Sequence, residues 1–193
     1  MAYSIVQICN LSLNEIGEIP IVSLDDVDSV NARKCKLLYE PTKNRILSAY
    51  KWNFAMARAS DTLAKTDIVN PFEYAYSYQL PVDCLRVWDI YGSDSLWVVE
   101  GDKLLCNDSS VNLRYIKRIE DPNLFTAAFV ECVVLDIAAS LAISIGGDNG
   151  VAQERLLGRL RISILEAFAM GAVEGHPDAY NTVKNTTWQN AGR

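Results

Sequence analysis

Between Ser4 and Ile16, the apolar residues Ile5, Cys9, Leu13 and Ile16 recur at spacings of four, four and three, which places them on one face of a helix. Gly17 follows as the stop signal. The next run, GEIPIVSLDDVDS, combines a proline, a short apolar patch and three aspartates. It reads as a connector to a second helix, with Asp28 or Ser29 as its N-cap. From Val30 to about Tyr50 the helical period returns, with Ala32, Cys35, Leu38 and Tyr39 on one face and Ile46 and Ala49 continuing it. Pro41 is expected to kink or interrupt this helix, because its nitrogen has no hydrogen to donate and its ring crowds the preceding turn.

The period changes in the middle third. Residues 52–118 are rich in Tyr, Val, Trp and Leu and are cut at Asn70-Pro71, Leu80-Pro81, Gly92, Gly101-Asp102 and Asn107-Asp108. Strands are predicted at about 74–79, 84–91, 95–100, 103–106 and 111–117, with a hairpin turning at Gly101-Asp102. A glycine-rich phosphate loop and βαβ alternation are both lacking, which disfavours a nucleotide-binding sheet. The large aromatics Trp52, Phe54, Tyr74, Tyr76 and Tyr78 flank the change of period, and Trp52 and Phe54 are expected to anchor the strands on the helices.

Helix returns in the last third. Asp121 with Pro122 reads as cap and first turn of a helix running to Ile145, apolar nearly all round and therefore buried on most sides. Gly146-Gly147 ends it, Asn149 caps the next, and Leu156, Leu160, Ile164 and Phe168 recur at steps of four along Gly150 to about Met170 as a core stripe. Beyond Gly175 the chain is polar apart from Trp188, and too poor in apolar surface to fold alone. The expected architecture is α+β: residues 1–52 and 119–174 form a four-helix bundle, residues 53–118 an antiparallel β-rich subdomain inserted between them, and residues 175–193 an extended tail. With 193 residues, burying roughly 70% of the unfolded chain's surface, one domain with a smaller appendage is sustainable.

Leu124 to Ile145 is long enough to span a bilayer, but Glu131 and Asp136 near its middle would each cost about 2.5 to 3.5 kcal/mol there, so a buried helix is the better reading. The first ten residues lack a basic segment followed by an unbroken apolar run, so no signal peptide is expected.

Charge and chemistry narrow the function. Eighteen Lys and Arg against twenty-four Asp and Glu leave a net charge of -6, unfavourable for binding nucleic acid through its phosphates. The one histidine, His176, sits beside Pro177 in the polar tail, a poor start for a zinc site or a Ser-His-Asp or Cys-His centre. Five cysteines, at 9, 35, 84, 106 and 132, show no CxxC pair and read as small core hydrophobes in a reducing compartment. Glu131 and Asp136 are five residues apart, about 140° around a helix, so one exposed and one hydrogen-bonded acid is expected rather than a catalytic pair. Asp83 and Asp89 lie on or near strands with no basic partner in view. No catalytic, cofactor-binding or metal-binding residues are assigned, and the chain reads as a packing and assembly protein rather than an enzyme.

One lopsided stretch remains. Arg33, Lys34, Lys36, Lys43, Arg45 and Lys51 face only Glu40 in the second helix, whereas Glu15, Glu18, Asp25, Asp26 and Asp28 precede it without a base. Two readings stay open: a solvated basic face, or a docking surface for an acidic neighbour or passing DNA.

The order of several short runs resembles the tail tubular protein A family, the head-to-tail adaptors of short-tailed bacteriophages. The likeness is carried by Ile16-Gly17-Glu18 before the connector, the Ala32 to Tyr39 helix, and above all Trp52-Asn53-Phe54-Ala55 after a basic helix. It continues through Tyr78, Leu80-Pro81, Asp83, Leu85, Val87, Glu100-Gly101, Leu104, Tyr115-Ile116, Phe125, Phe129 and Ala138-Ala139 to Trp188, Ala191 and Arg193, nearly the whole chain. Pro41 departs from relatives whose second helix runs unbroken. The resemblance implies a non-enzymatic subunit without cofactor, assembling as a dodecameric ring under the portal protein and joining it to the tail nozzle. DNA would pass through its channel without specific binding. It would reside in the virion neck, with assembly in the host cytoplasm and no membrane. Residues 176–193 would be a portal-docking tail with Trp188 as anchor and Arg193 as charged end, and the basic face of Arg33, Lys36, Lys43 and Arg45 a second candidate contact. The rivals are a small hydrolase using buried carboxylates and a helical regulator with a ligand-binding sheet.

Overall fold

A computed structural model describes residues 3–60, 63–66, 73–145 and 150–173. Helix α1, Ile5–Glu15, starts with a reciprocal cap: Gln7 N–H donates to Ser4 Oγ at 3.1 Å and Ser4 N–H to Gln7 Oε1 at 2.8 Å. It stops where Gly17 takes φ +74°, which lets the Gly17 and Glu18 amides return to the Asn14 and Leu13 carbonyls at 3.1 and 3.0 Å.

Helix α2, Val30–Ala49, is capped by Ser29, whose Oγ accepts from Ala32 N–H at 3.2 Å. It runs through Pro41 without interruption. Pro41 and Leu37, whose carbonyl loses its helical partner, both lie on the exposed side of the helix. Buried Tyr39, Ile46 and Leu47 hold the helix on either side of it.

A single 3-10 turn, Asn53–Ala55, leads into seven strands among the described residues: β1 Met56–Ser60, β2 Lys65–Thr66, β3 Tyr76–Gln79, β4 Cys84–Ile90, β5 Trp97–Glu100, β6 Lys103–Cys106 and β7 Asn112–Lys117. They form two antiparallel sheets, ordered β1-β7-β4 and β2-β3-β6-β5. The predicted hairpin is β5–β6, with Glu100 opposite Lys103 and Gly101 at φ +61°. Strands β1 and β2 were not expected. Met-Ala-Arg-Ala-Ser has little strand preference of its own and becomes a strand by pairing with β7.

Helix α3, Ala127–Ser144, begins later than expected. Asp121 and Pro122 open a separate 3-10 turn, Pro122–Leu124, and the cap of α3 is Thr126, whose Oγ1 accepts from Phe129 N–H at 3.3 Å. By length and composition α3 could cross a bilayer, but 67% of it is buried inside the protein, packed on α1, α2 and the last helix, α4 Val151–Val173. Gly146-Gly147, Asn149 and Asn70-Pro71, assigned as stops, cap and turn, lie outside the described residues.

The fold is thus mixed α+β, with four described helices and two sheets around two apolar clusters. Neighbouring residues of the first sheet divide between the clusters. Met56, Leu85 and Ile116 reach the helical core, while Ala57, Cys84 and Tyr115 turn to the cluster of Tyr78, Leu104 and Leu113. The expected aromatic junction divides likewise. Trp52 and Phe54 pack in the helical core, with ring centroids 5.0 and 5.2 Å from Phe129, while Tyr76 and Tyr78 belong to the sheet cluster, where Lys65 lies over both rings.

Candidate functional site

The basic face of α2 is largely occupied by its own chain. Lys43 is wholly buried: its Nζ lies 2.8 Å from Glu40 Oε2, 3.1 Å from Glu120 Oε2 and 5.7 Å from the Tyr39 ring centre. It is therefore not a docking residue, because its stem fills core space and its charge is spent on two carboxylates. Arg45 pairs with Asp136, whose side chain is 4% exposed. Lys36 Nζ meets Asp25 Oδ1 at 2.7 Å, which holds that carboxyl below its ordinary range, and Arg33 Nη1 donates to the Val27 carbonyl at 2.5 Å. Lys34 donates to the Ser144 carbonyl, and Lys51 and Arg86 lie over Trp88. Within the chain, Lys36 is answered by the connector that precedes α2 and Arg45 by α3. Trp188 and Arg193 lie outside the described residues.

The carboxylates singled out in the sequence all have partners within the chain. Glu131 is exposed and accepts from Ser163 Oγ at 3.2 Å, while Asp136 is buried against Arg45, the division expected from their spacing. Asp89 and Asp83 do have basic partners. Arg114, directly across the ladder, donates twice to Asp89, once at 2.6 Å, and Lys117 lies 3.4 Å from Asp83, which also accepts from Tyr115 Oη at 3.2 Å. These partners come from a strand more than twenty residues away, and no local spacing announces them. Burial, reinforced by Asp83, pushes the Tyr115 hydroxyl up to about 12.

All five cysteines are free. Cys9 and Cys35 meet through their thiols between α1 and α2, a contact that together with burial drives the Cys9 thiol far up. Burial raises Cys84 to about 11 and Cys132 to about 12, which favours the protonated thiol at neutral pH. Among the described residues no cluster of three or more His, Cys, Asp or Glu could hold a metal ion. An open cavity of about 530 Å³ on the outer side of α1 is lined by Tyr3, Gln7, Asn10, Asn14 and Glu18. Two of its amides are committed, Gln7 to the helix cap and Asn10 to both backbone groups of Ile21.

The most unusual surface is on α4. Its inner face follows the predicted stripe only in part: Leu156 and Leu160 are buried and Ile164 is half-buried, but Phe168 is exposed and leans on Tyr50 at 5.5 Å between centroids. Its other face also carries large aliphatic side chains, Val151, Ile162 and Leu165, exposed by 73%, 59% and 70%, in one row with the exposed Arg155. The sequence carried that second stripe, as Val151, Gly158, Ile162, Leu165 and Ala169, but the stronger four-residue repeat of the inner face masked it. No protein-family model matches the chain, and no curated protein matches it.

Proposed function

We propose that the chain is a structural subunit of a bacteriophage neck, a head-to-tail adaptor of the tail tubular protein A kind, acting without catalysis. The observation that carries this reading is α4, a helix that seats one face on α3 and leaves Val151, Ile162 and Leu165 of the other exposed. A run of exposed aliphatic side chains on one helix is the mark of a surface completed by another molecule. The resemblance supplies that molecule's class: neighbouring subunits in a dodecameric ring, the portal above and the tail nozzle below, with DNA passing through during genome ejection. In this reading the four helices act as one bundle, the strands project from it, and residues 176–193 reach the portal through Trp188 and Arg193. Of the basic residues, Arg33, Lys36 and Arg45 remain candidate contacts and Lys43 does not.

Mass photometry with and without the portal tests it. The free chain is expected as a monomer or weak oligomer, because ordering a polar tail costs ~1 to 2 kcal/mol per residue that only a partner offsets. Addition of portal is expected to give a ring. A stable dodecamer of the free chain would remove portal-triggered assembly but leave the adaptor role, whereas failure to bind any portal would remove the role itself.

A further inference from the structure

Charge is divided between the two ends of α2. Beyond its last residue, strand β4 carries two bulges, which add Leu85 and Trp88 to its register against β7. A bulge re-aims its extra side chain. Trp88 lies under two cations, with Lys51 Nζ 5.7 Å and the Arg86 guanidinium 5.8 Å from the ring centre. Arg86 is held there by the last carbonyls of α2, donating to Ser48 and Ala49 at 3.2 and 3.4 Å. Met56 and Arg86 stand on either side of Ile116, and Arg58, two residues on from Met56, shares their face of the sheet. Arg58 is directly across from Arg114, a like charge that Asp89 answers. Lys51, Arg58 and Arg86 are exposed, and among the described residues no carboxylate pairs with any of them. Like charges placed together on a sheet face are destabilising, so an anion from outside the chain stabilises this arrangement.

The opposite excess lies at the start of α2. In the connector that leads into it, Asp26 and Asp28 are exposed, and neither pairs with a base among the described residues. Asp26 Oδ1 accepts from the Asp28 and Ser29 amides at 3.0 and 3.3 Å, so these acids project from a fixed turn. Val22 and Val27, both exposed, stand beside them. The 20 residues of α2 span about 30 Å, so the two ends cannot meet within one chain.

We infer that the face of Lys51, Arg58 and Arg86 takes the connector of a second copy, its Asp26 and Asp28 on the cations and its Val22 and Val27 beside Trp88. Two observations favour a carboxylate over nucleic acid. The net charge of -6 opposes approach to phosphates, and the Trp88 ring, with cations over it, is not free to stack on a base. Because the two surfaces differ and lie at opposite ends of one helix, the contact is head-to-tail: each copy that joins offers a new face or a new connector. It is thus the contact by which ring neighbours would meet. Closure into a ring rests on the adaptor reading, whereas the pairwise contact does not.

The test is sedimentation velocity of the full chain without portal, from sub-micromolar to near-millimolar concentration, with circular dichroism to verify folding. At about 20 mM salt the wild type is expected to associate, and at about 0.5 M salt to fall back toward monomer. A face variant, Lys51→Glu with Arg58→Glu, and a connector variant, Asp26→Lys with Asp28→Lys, are each expected to associate several-fold more weakly. Asp28→Lys alone, which keeps the Asp26 turn, should show a smaller loss. Mixed in equal amounts, the face and connector variants are expected to recover wild-type association. The reversed face of one then meets the reversed connector of the other, and their unaltered halves also match. A wild type that stays monomeric at low salt, association indifferent to both reversals, or a mixture no stronger than its parts overturns the inference. If the face variant self-associates as well as the wild type but loses retention on duplex DNA, the face belongs to nucleic acid and the inference falls. Portal binding is measured separately: a chain that self-associates as described but never binds portal keeps this contact and removes the adaptor reading. One that binds portal yet never self-associates does the reverse.

Discussion

Lys43 shows how far a residue's identity can mislead about its place. In the sequence it belongs to a row of cations, yet its four-carbon stem is core and only its ammonium is polar, held by Glu40 and Glu120 near the surface. Replacement by a side chain of similar volume without the charge is therefore expected to be tolerated, Lys43→Met staying within about 1 kcal/mol of wild type in urea denaturation. Lys43→Ala, which empties the same space, should cost about 2 kcal/mol or more. Equal losses for the two would show that charge, not volume, fixes the site. The thiols make a pH-dependent contribution. Cys84 and Cys132 are raised in the folded state, from an ordinary 9.0 to about 11 and about 12, both chiefly by burial. A raised folded pKa stabilises fully below the unfolded value and is lost as pH climbs through the folded one. Stability should thus fall from about pH 9 upward, and the urea midpoint of Cys132→Ala should decline less steeply over that window than that of wild type.

Whole elements were legible where the pattern was local. The apolar face and glycine stop of α1, the Ser29 cap and the β5–β6 hairpin all rest on residues within a few positions of one another. The five predicted strands correspond to β3 through β7 within two residues at each end. What could not be read was set from a distance: β1 is a strand because β7 offers it a ladder, and Asp89 and Asp83 are paired by residues from β7. Charge balance on α2 was illegible for the same reason, since the acid that answers Arg45 lies on α3. The start of α3 was missed because a proline after an aspartate signals a 3-10 turn as readily as a helix. Pro41 carries a prediction at this scale. It is exposed in a helix that remains continuous through it, so Pro41→Ala should restore one backbone hydrogen bond and raise stability by up to about 3 kcal/mol. An unchanged or lowered melting temperature would mean that the proline's rigidity in the unfolded chain outweighs its cost in the helix.

For the molecule as a whole, the polar tail and the helices are expected to separate in function. Deleting residues 176–193, or making Trp188→Ala alone, should weaken portal binding while the melting temperature hardly changes, a buried tryptophan anchor being worth about 2 kcal/mol or more. Full-strength binding by the truncated chain would move the contact to the helices, around Arg33 and Arg45. The order in which the molecule assembles follows from its connectivity. The helices that share one core come from opposite ends of the chain, so α2 and α3 must find each other across the whole of the inserted strands. Closing such a loop from a disordered segment carries an entropic cost that grows with the logarithm of its length. Yet the first and last strands of the insert, β1 and β7, pair with each other, Met56 opposite Ile116, and so bring the end of α2 beside the approach to α3. Once the sheet has formed, the long loop is already closed. The strands would then act as a folding clamp, and weakening the β1–β7 ladder should slow the appearance of the helical core more than it speeds its loss.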